Sequence, residues 1–315
     1  MPEWLIERGI GESRYALVED GEIIEGRIEL EGLLRAGTVL QVRLVTAGPR
    51  NAIARDAGTE YLLPRGAPGV TEGAAFKIEV TREAIPGVEP WKLALARATD
   101  APLREAPPLT GRELPLPAHR DELADAGWND LLDEARSGVV QFAGGELRIS
   151  PTPAMTLVDV DGYLPPEELA VVGAAAAAGA IRRLDIGGSV GIDLPTCRSK
   201  SARQKAAAAI DAHLPQPFER TAVNGFGFVQ VVRPRVRASL VELAHNRASF
   251  EARALLRRAA FEPAGPKSLV AHPAVIAALE QEPGWRDALA RQVGGPVSLR
   301  ADASLPMSGG YAEKA

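Results

Sequence analysis

The sequence predicts a mixed α/β protein carrying a small inserted β-barrel, and three patterns within its 315 residues predict it. Apolar and polar residues alternate through the first 34 positions, as they do in half-buried strands. Short strand patterns then recur from Gly37 to about Ala98, separated by Gly/Pro turns at the roughly 8–12 residue spacing of a small barrel. Residues 155–194 read as one strand, helix, strand unit. At about 100–200 residues per domain the length suggests two or three units. With 46% hydrophobic and 24% charged residues the composition is that of a globular protein, which excludes a fibrous or wholly disordered chain.

Taken in order, WLIERG, RYALVED and GEIIEGRIEL form an antiparallel meander, with Glu19-Asp20-Gly21 as the turn between the last two. TVLQVRLVTA, NAIARDA, TEYLLPR, AAFKIEVTRE and WKLALARA supply a barrel of the oligonucleotide-binding (OB-like) type. Its only aromatics, Tyr61, Phe76 and Trp91, read as core filler ahead of a base-stacking platform. Residues 99–118 are a proline-rich linker or extended strap. A helix follows from His119 to Ser137, with Asp121, Leu123, Trp128, Leu131, Leu132 and Ala135 on its helical stripe, and then a hairpin, VVQFAGGELRIS.

MTLVDVD is an apolar strand ending in two carboxylates. Pro165 and Pro166 open a helix that runs through EELAVVGAAAAAGAIRRL and stops near Asp185–Gly188, and SVGIDL is the next strand. Because such crossovers are right-handed in nearly all cases, the two strands are expected to be parallel, either adjacent or with one strand between them. Asp159 and Asp161 then share a face, and Asp193 occupies the matching end of the second strand. Converging carboxylates repel one another, and a hard divalent cation, Mg²⁺ or Mn²⁺, relieves the repulsion. The alternative is that each aspartate merely begins a turn, Asp161-Gly162 being a common turn pair.

The single cysteine, Cys197, makes neither an internal disulfide nor a cysteine-based zinc site, and a reducing cytoplasm is the expected compartment. The longest apolar run, Leu169–Ile181, is shorter than the roughly 18–20 residues that cross a bilayer, so no membrane span is expected. The charged N-terminus does not read as a signal peptide. The glycines of DIGGSVGID precede a strand, which rules out a dinucleotide fingerprint. His119, His213, His245 and His272 are scattered, with no nucleophile motif beside them.

The net charge of −5 conceals an asymmetry: residues 181–258 carry 14 Lys/Arg against 6 Asp/Glu. Arg198, Lys200, Arg203 and Lys205 open an amphipathic helix, RSKSARQKAAAAIDAHL, and the strands FERTAV and FGFVQVVRPRVRASL follow it. Alternation there places Arg233, Arg235 and Arg237 in a row facing phosphates, although Pro234 argues against a central strand. A chain path for RNA beside the carboxylates and steep salt dependence follow. The alternatives are a solvated charged face and an Arg-rich bias of composition.

The order of motifs resembles the catalytic core of the ribonuclease E/G family of single-strand-specific endoribonucleases. GGELRISPTPAMTLVDVDG resembles the stretch leading to the family's first metal-binding aspartate, at Asp159 here, and LDIGGSVGIDL the stretch bearing the second, at Asp193. FGFVQVVRPRVRASL resembles the family's three-arginine segment, with Arg233, Arg235, Arg237 and Ser239-Leu240 in place. The resemblance implies a ribonuclease H-like part (1–34 and 119–154), an OB-like barrel (35–98), the linker (99–118), a deoxyribonuclease I-like catalytic part (155–248) and a small C-terminal α/β domain (249–315). It also implies a Mg²⁺-dependent endoribonuclease that cleaves single-stranded RNA to 5′-phosphate and 3′-hydroxyl ends. Asp161 stands where the family has asparagine, and Gln230 where it usually has glutamate. No Cys-x-x-Cys follows the arginine segment, so neither zinc nor a zinc-linked dimer is expected, and the oligomeric state is left open. The strap replaces the family's 5′-monophosphate pocket, so 5′-end sensing is not expected. The competing functions are an inactive RNA-binding protein of the same fold and a metal-dependent phosphoesterase of small phosphates.

Overall fold

The computed structural model of the protein describes residues 1–85, 92–116 and 120–315. Strands β1 (Glu3–Arg8), β2 (Glu12–Glu19) and β3 (Glu22–Leu30) precede β4 (Val39–Thr46), β5 (Ala52–Asp56), β6 (Thr59–Leu63), β7 (Ala75–Arg82) and β8 (Ala94–Ala98). Next come β9 (Arg112–Leu114), α1 (Glu122–Asp125), α2 (Trp128–Ser137), β10 (Val139–Phe142), β11 (Gly145–Pro151) and β12 (Thr156–Gly162). They lead to α3 (Pro166–Arg183), β13 (Gly188–Asp193), α4 (Lys200–His213), β14 (Glu219–Arg220) and β15 (Phe228–Arg233). Then follow α5 (Leu240–His245), α6 (Arg247–Phe261), β16 (Lys267–Ala271), α7 (Pro273–Gln281), α8 (Pro283–Val293), β17 (Val297–Ala301) and β18 (Tyr311–Lys314). No helix among the described residues is long and apolar enough to cross a membrane.

The fold is mixed α/β and divides into two compact units, neither contiguous in sequence. The first joins residues 1–31, 110–137 and 243–315. Its four-stranded sheet has the order β3-β2-β1-β9, and the predicted meander is there in full. The tight turn at Asp20-Gly21 needs positive φ at both residues, and both have it (52° and 87°). The strap is not a bare linker: β9 comes from it and runs parallel to β1. The single helix expected over 119–137 is two helices in its described part, because Gly127 takes a left-handed φ of +97° between them, while His119 lies outside the described residues. Within this unit residues 249–315 contribute an α/β layer, with sheet order β17-β16-β18 and a core that includes Leu255, Leu269, Val275, Leu279 and Leu289.

Charge also holds this unit together. Glu7 receives both Arg14 (2.7 Å) and Arg257 (2.8 Å), and Glu12 receives Arg14 and Arg253 (2.7 Å each). Asp121 caps α1 at the Ala124 N–H and takes a second arm of Arg257 at 2.5 Å. Apart from Asp121 these side chains are 1–5% exposed, and the three acids balance the three arginines. Buried ions are tolerated only when paired in this way.

The second unit, residues 32–109 and 138–242, contains a closed five-stranded barrel in the order β4-β5-β6-β8-β7. Tyr61 is buried in its core with Leu44, Leu63 and Ile78, and Phe76 packs against that core, so both serve as filler; Trp91 lies outside the described residues. The six-stranded sheet of this unit runs β10-β11-β12-β13-β15-β14. β11 pairs with β12 along its whole length, so the boundary expected at 154/155 would cut through this sheet. The hairpin 139–151 therefore belongs with the strands that carry the aspartates, and residues 120–137 with the first unit.

Candidate metal centre and nucleic-acid interface

The strand–helix–strand unit positions the candidate site. Pro166 begins α3 at a first-turn position, where its missing N–H costs no hydrogen bond. Leu169, Ala170, Ala174, Ala177, Ala178 and Ile181 are among its buried residues. Gly173 sits so close to β12 that a Cβ there would collide with Val160 Cγ1. Val158, Val160, Val190 and Ile192 of β12 and β13 are buried. Because strand side chains alternate, the intervening positions face the other way, and Leu157, Asp159, Asp161 and Asp193 are all exposed.

β12 and β13 are adjacent and parallel, and Asp159 and Asp193 are register partners. Of the two arrangements left open by the sequence, the direct pairing is the one formed. Asp161 lies two residues on, on the same face. Across the hairpin, Asp159 is paired with Arg148 and Asp161 with Glu146. Arg148 turns to Glu146 at 2.5 Å, and the Gln141 amide donates to the same carboxylate at 2.9 Å. On the other side, Asp193 is paired with Phe228, whose ring occupies the space a side chain at Gly191 would need: a Cβ there would meet Phe228 Cζ at 2.7 Å. The Gln230 amide donates to Ser189 Oγ at 2.8 Å.

Partial burial, then the neighbouring charges of Asp161 and Asp193, push the Asp159 carboxyl above its ordinary range. Asp159 thus feels the charges of both other acids, and a set made only of carboxylate oxygens fits a hard cation such as Mg²⁺ or Mn²⁺. Among the described residues no three His, Cys, Asp or Glu side chains form a cluster that could hold a metal ion.

The predicted cations separate into two groups. Arg198, Lys200 and Lys205 are exposed, the first two at the end of the loop that follows Asp193 and at the start of α4. Arg203 instead turns back, donating to the carbonyls of Cys197 (2.7 Å) and Arg198 (2.8 Å). The arginine row is not formed. β15 ends at Arg233, just before Pro234, and the three guanidinium groups serve the fold. Arg233 donates to the carbonyls of Ile186 (3.0 Å) and Ile181 (3.4 Å), closing the C-terminal end of α3. Arg235 pairs with Glu242, and Arg237 with Asp185 at 3.0 Å.

The other residue types weighed from the sequence are placed elsewhere. Cys197 is buried, and burial, then the nearby Glu167 charge, pushes its thiol up, away from a reactive thiolate. His272 caps α7 through the Ala274 N–H, and His213 Nδ1 is bonded to the Ala209 carbonyl. Glu146 and Arg148, beside the aspartates, were not singled out from the sequence, although the alternation of GELRIS already places both on one face. The chain matches no protein-family model, and no curated protein matches it.

Proposed function

We propose that this protein is a metal-dependent endoribonuclease that cleaves single-stranded RNA to 5′-phosphate and 3′-hydroxyl ends without sensing a 5′-monophosphate. On this reading the six-stranded sheet is a deoxyribonuclease I-like catalytic part, the four-stranded sheet is the ribonuclease H-like part, and the barrel is OB-like. One observation carries the proposal: Asp159 and Asp193 are register partners on parallel strands, with Asp161 on the same exposed face. These three side chains would hold Mg²⁺ or Mn²⁺. When bound, such an ion lowers the pKa of coordinated water and offsets charge on the phosphate.

The chain's own residues supply the rest. The parallel pairing sets the two principal aspartates at neighbouring register positions, so that side chains and not strands would have to move to meet an ion. Arg148 and Glu146 neutralise one another at one border. Arg198 and Lys200 attract the RNA backbone, while Arg233, Arg235 and Arg237 hold the frame. With three exposed cations rather than seven, binding should weaken only moderately with salt, with a log–log slope of about −2 on single strands.

Cleavage of an unstructured RNA oligomer with Mg²⁺ tests the proposal. Asp159→Asn and Asp193→Asn should each lower the rate by about a hundredfold or more and leave RNA binding in place. If wild type and Asp193→Asn are equally inert while both bind RNA, the protein is an RNA-binding protein without turnover. Hydrolysis of small phosphate esters with no competition from RNA would instead identify a phosphoesterase.

A further inference from the structure

Apart from Met1, the two most exposed large apolar side chains among the described residues are Tyr163 (83%) and Phe226 (80%). Both fall at the end of the six-stranded sheet where the aspartates lie. Tyr163 is four residues beyond Asp159 and just past the end of β12, where its N–H still bonds the Gly144 carbonyl at 3.1 Å. Phe226 lies two residues before Phe228, the register partner of Asp193. β13 separates the two strands concerned, so the backbones that carry the aromatics are set roughly two strand spacings apart, about 10 Å, at the sheet end of the carboxylates.

Neither ring is on a loose tail. Asn224 Oδ1 accepts from the N–H groups of Phe226 (2.9 Å) and Phe228 (3.1 Å), and the Gly227 N–H returns to the Asn224 carbonyl at 3.1 Å. This turn presents the Phe226 ring to water. Gly227 makes it possible: its φ is +98°, and a Cβ there would collide with the Leu194 carbonyl. Phe228, by contrast, lies down over Gly191.

We propose that Tyr163 and Phe226 are stacking platforms for two unpaired bases, one on each side of the phosphodiester that meets the aspartates. The inference rests on the nuclease reading for its scissile phosphate and narrows the substrate to strands whose bases are free to unstack. A flat ring offers its face to any base, which gives binding without sequence preference. Bases inside a duplex already stack on each other and cannot serve. The exposed Arg198 and Lys200, at the same sheet end, suit the charged backbone of such a strand. The barrel's described aromatics, Tyr61 and Phe76, are spent on its core, which leaves this task to the end of the sheet.

The test is fluorescence anisotropy of a labelled oligoadenylate 12-mer in EDTA, so that binding is read without cleavage. Tyr163→Ala and Phe226→Ala should each weaken binding about tenfold, while Tyr163→Phe and Phe226→Tyr stay within about twofold of wild type. A 12-mer with abasic sites should lose affinity for wild type and gain no further loss from the alanine variants. Alanine variants that bind oligoadenylate as tightly as wild type would overturn the platforms. If those variants bind normally while Asp193→Asn abolishes cleavage, only this inference falls. If binding depends on the rings but no cleavage occurs, only the nuclease reading falls. A protein that binds no RNA ends both.

Discussion

Asp159 carries the tension of the site in a single carboxyl group. Burial and the charges of Asp161 and Asp193 raise its pKa in the folded protein, so the native state holds its proton more tightly than the unfolded chain does. Such a group lowers stability once pH exceeds the folded pKa, and the loss is recovered as pH falls back through that value toward the unfolded one. Without metal, Asp193→Asn should therefore raise the melting temperature by about 1–2 °C at pH 7, and the difference should vanish where all carboxyls are protonated. Melting curves from pH 3 to 8 in EDTA check this. Added Mg²⁺ should reverse the order and favour wild type. The three acids were legible because strand alternation and crossover handedness are local rules. The arginines were not. For two of the three the acceptors, Asp185 for Arg237 and the Ile181 and Ile186 carbonyls for Arg233, lie 47–52 residues away, and no local pattern separates a guanidinium bound inward from one facing solvent.

At the scale of the element, α3 shows how a small-residue face sets the distance from helix to strand. Gly173 lies against Val160, one residue from each of Asp159 and Asp161, whereas nothing lies within 4 Å of a Cβ at Gly179. Gly173→Val should cost about 1–3 kcal/mol in chemical denaturation and lower cleavage by shifting β12. Gly179→Ala should gain about 0.5–1 kcal/mol, as expected for removing glycine from an unobstructed helix interior. Equal effects of the two would show that the spacing is not set by Gly173. The helix and its flanking strands were readable because Pro166, the alanine run and the two apolar strands all agree. The structure departs from the pattern where one residue overrides it: Gly127 splits a stripe that reads as one helix, and Pro234 cuts short the arginine strand. The strap hid a strand because three residues of parallel pairing leave no periodicity to detect.

For the molecule as a whole, the first unit depends on pairings that span most of the chain. Arg257 reaches Glu7 across 250 residues, and Arg253 reaches Glu12 across 241. Arg257→Met removes one of the two arginines at Glu7 and should cost about 3–5 kcal/mol, because a buried carboxylate loses charge compensation. Guanidinium denaturation measures it, and a change below about 1 kcal/mol would show that the ion network contributes little. No sequence pattern announces such contacts, since a glutamate on an early strand and an arginine on a late helix each look like ordinary surface residues. The same arrangement has a consequence for biosynthesis. Residues 1–31 are made long before α6, yet Glu7 and Glu12, each already beside Arg14, wait for α6 to supply their second arginine. At about 5–20 residues per second the delay is about 12–50 s. During that interval the opening strands are a natural client for chaperones, and a stalled, incomplete product would present them to proteases.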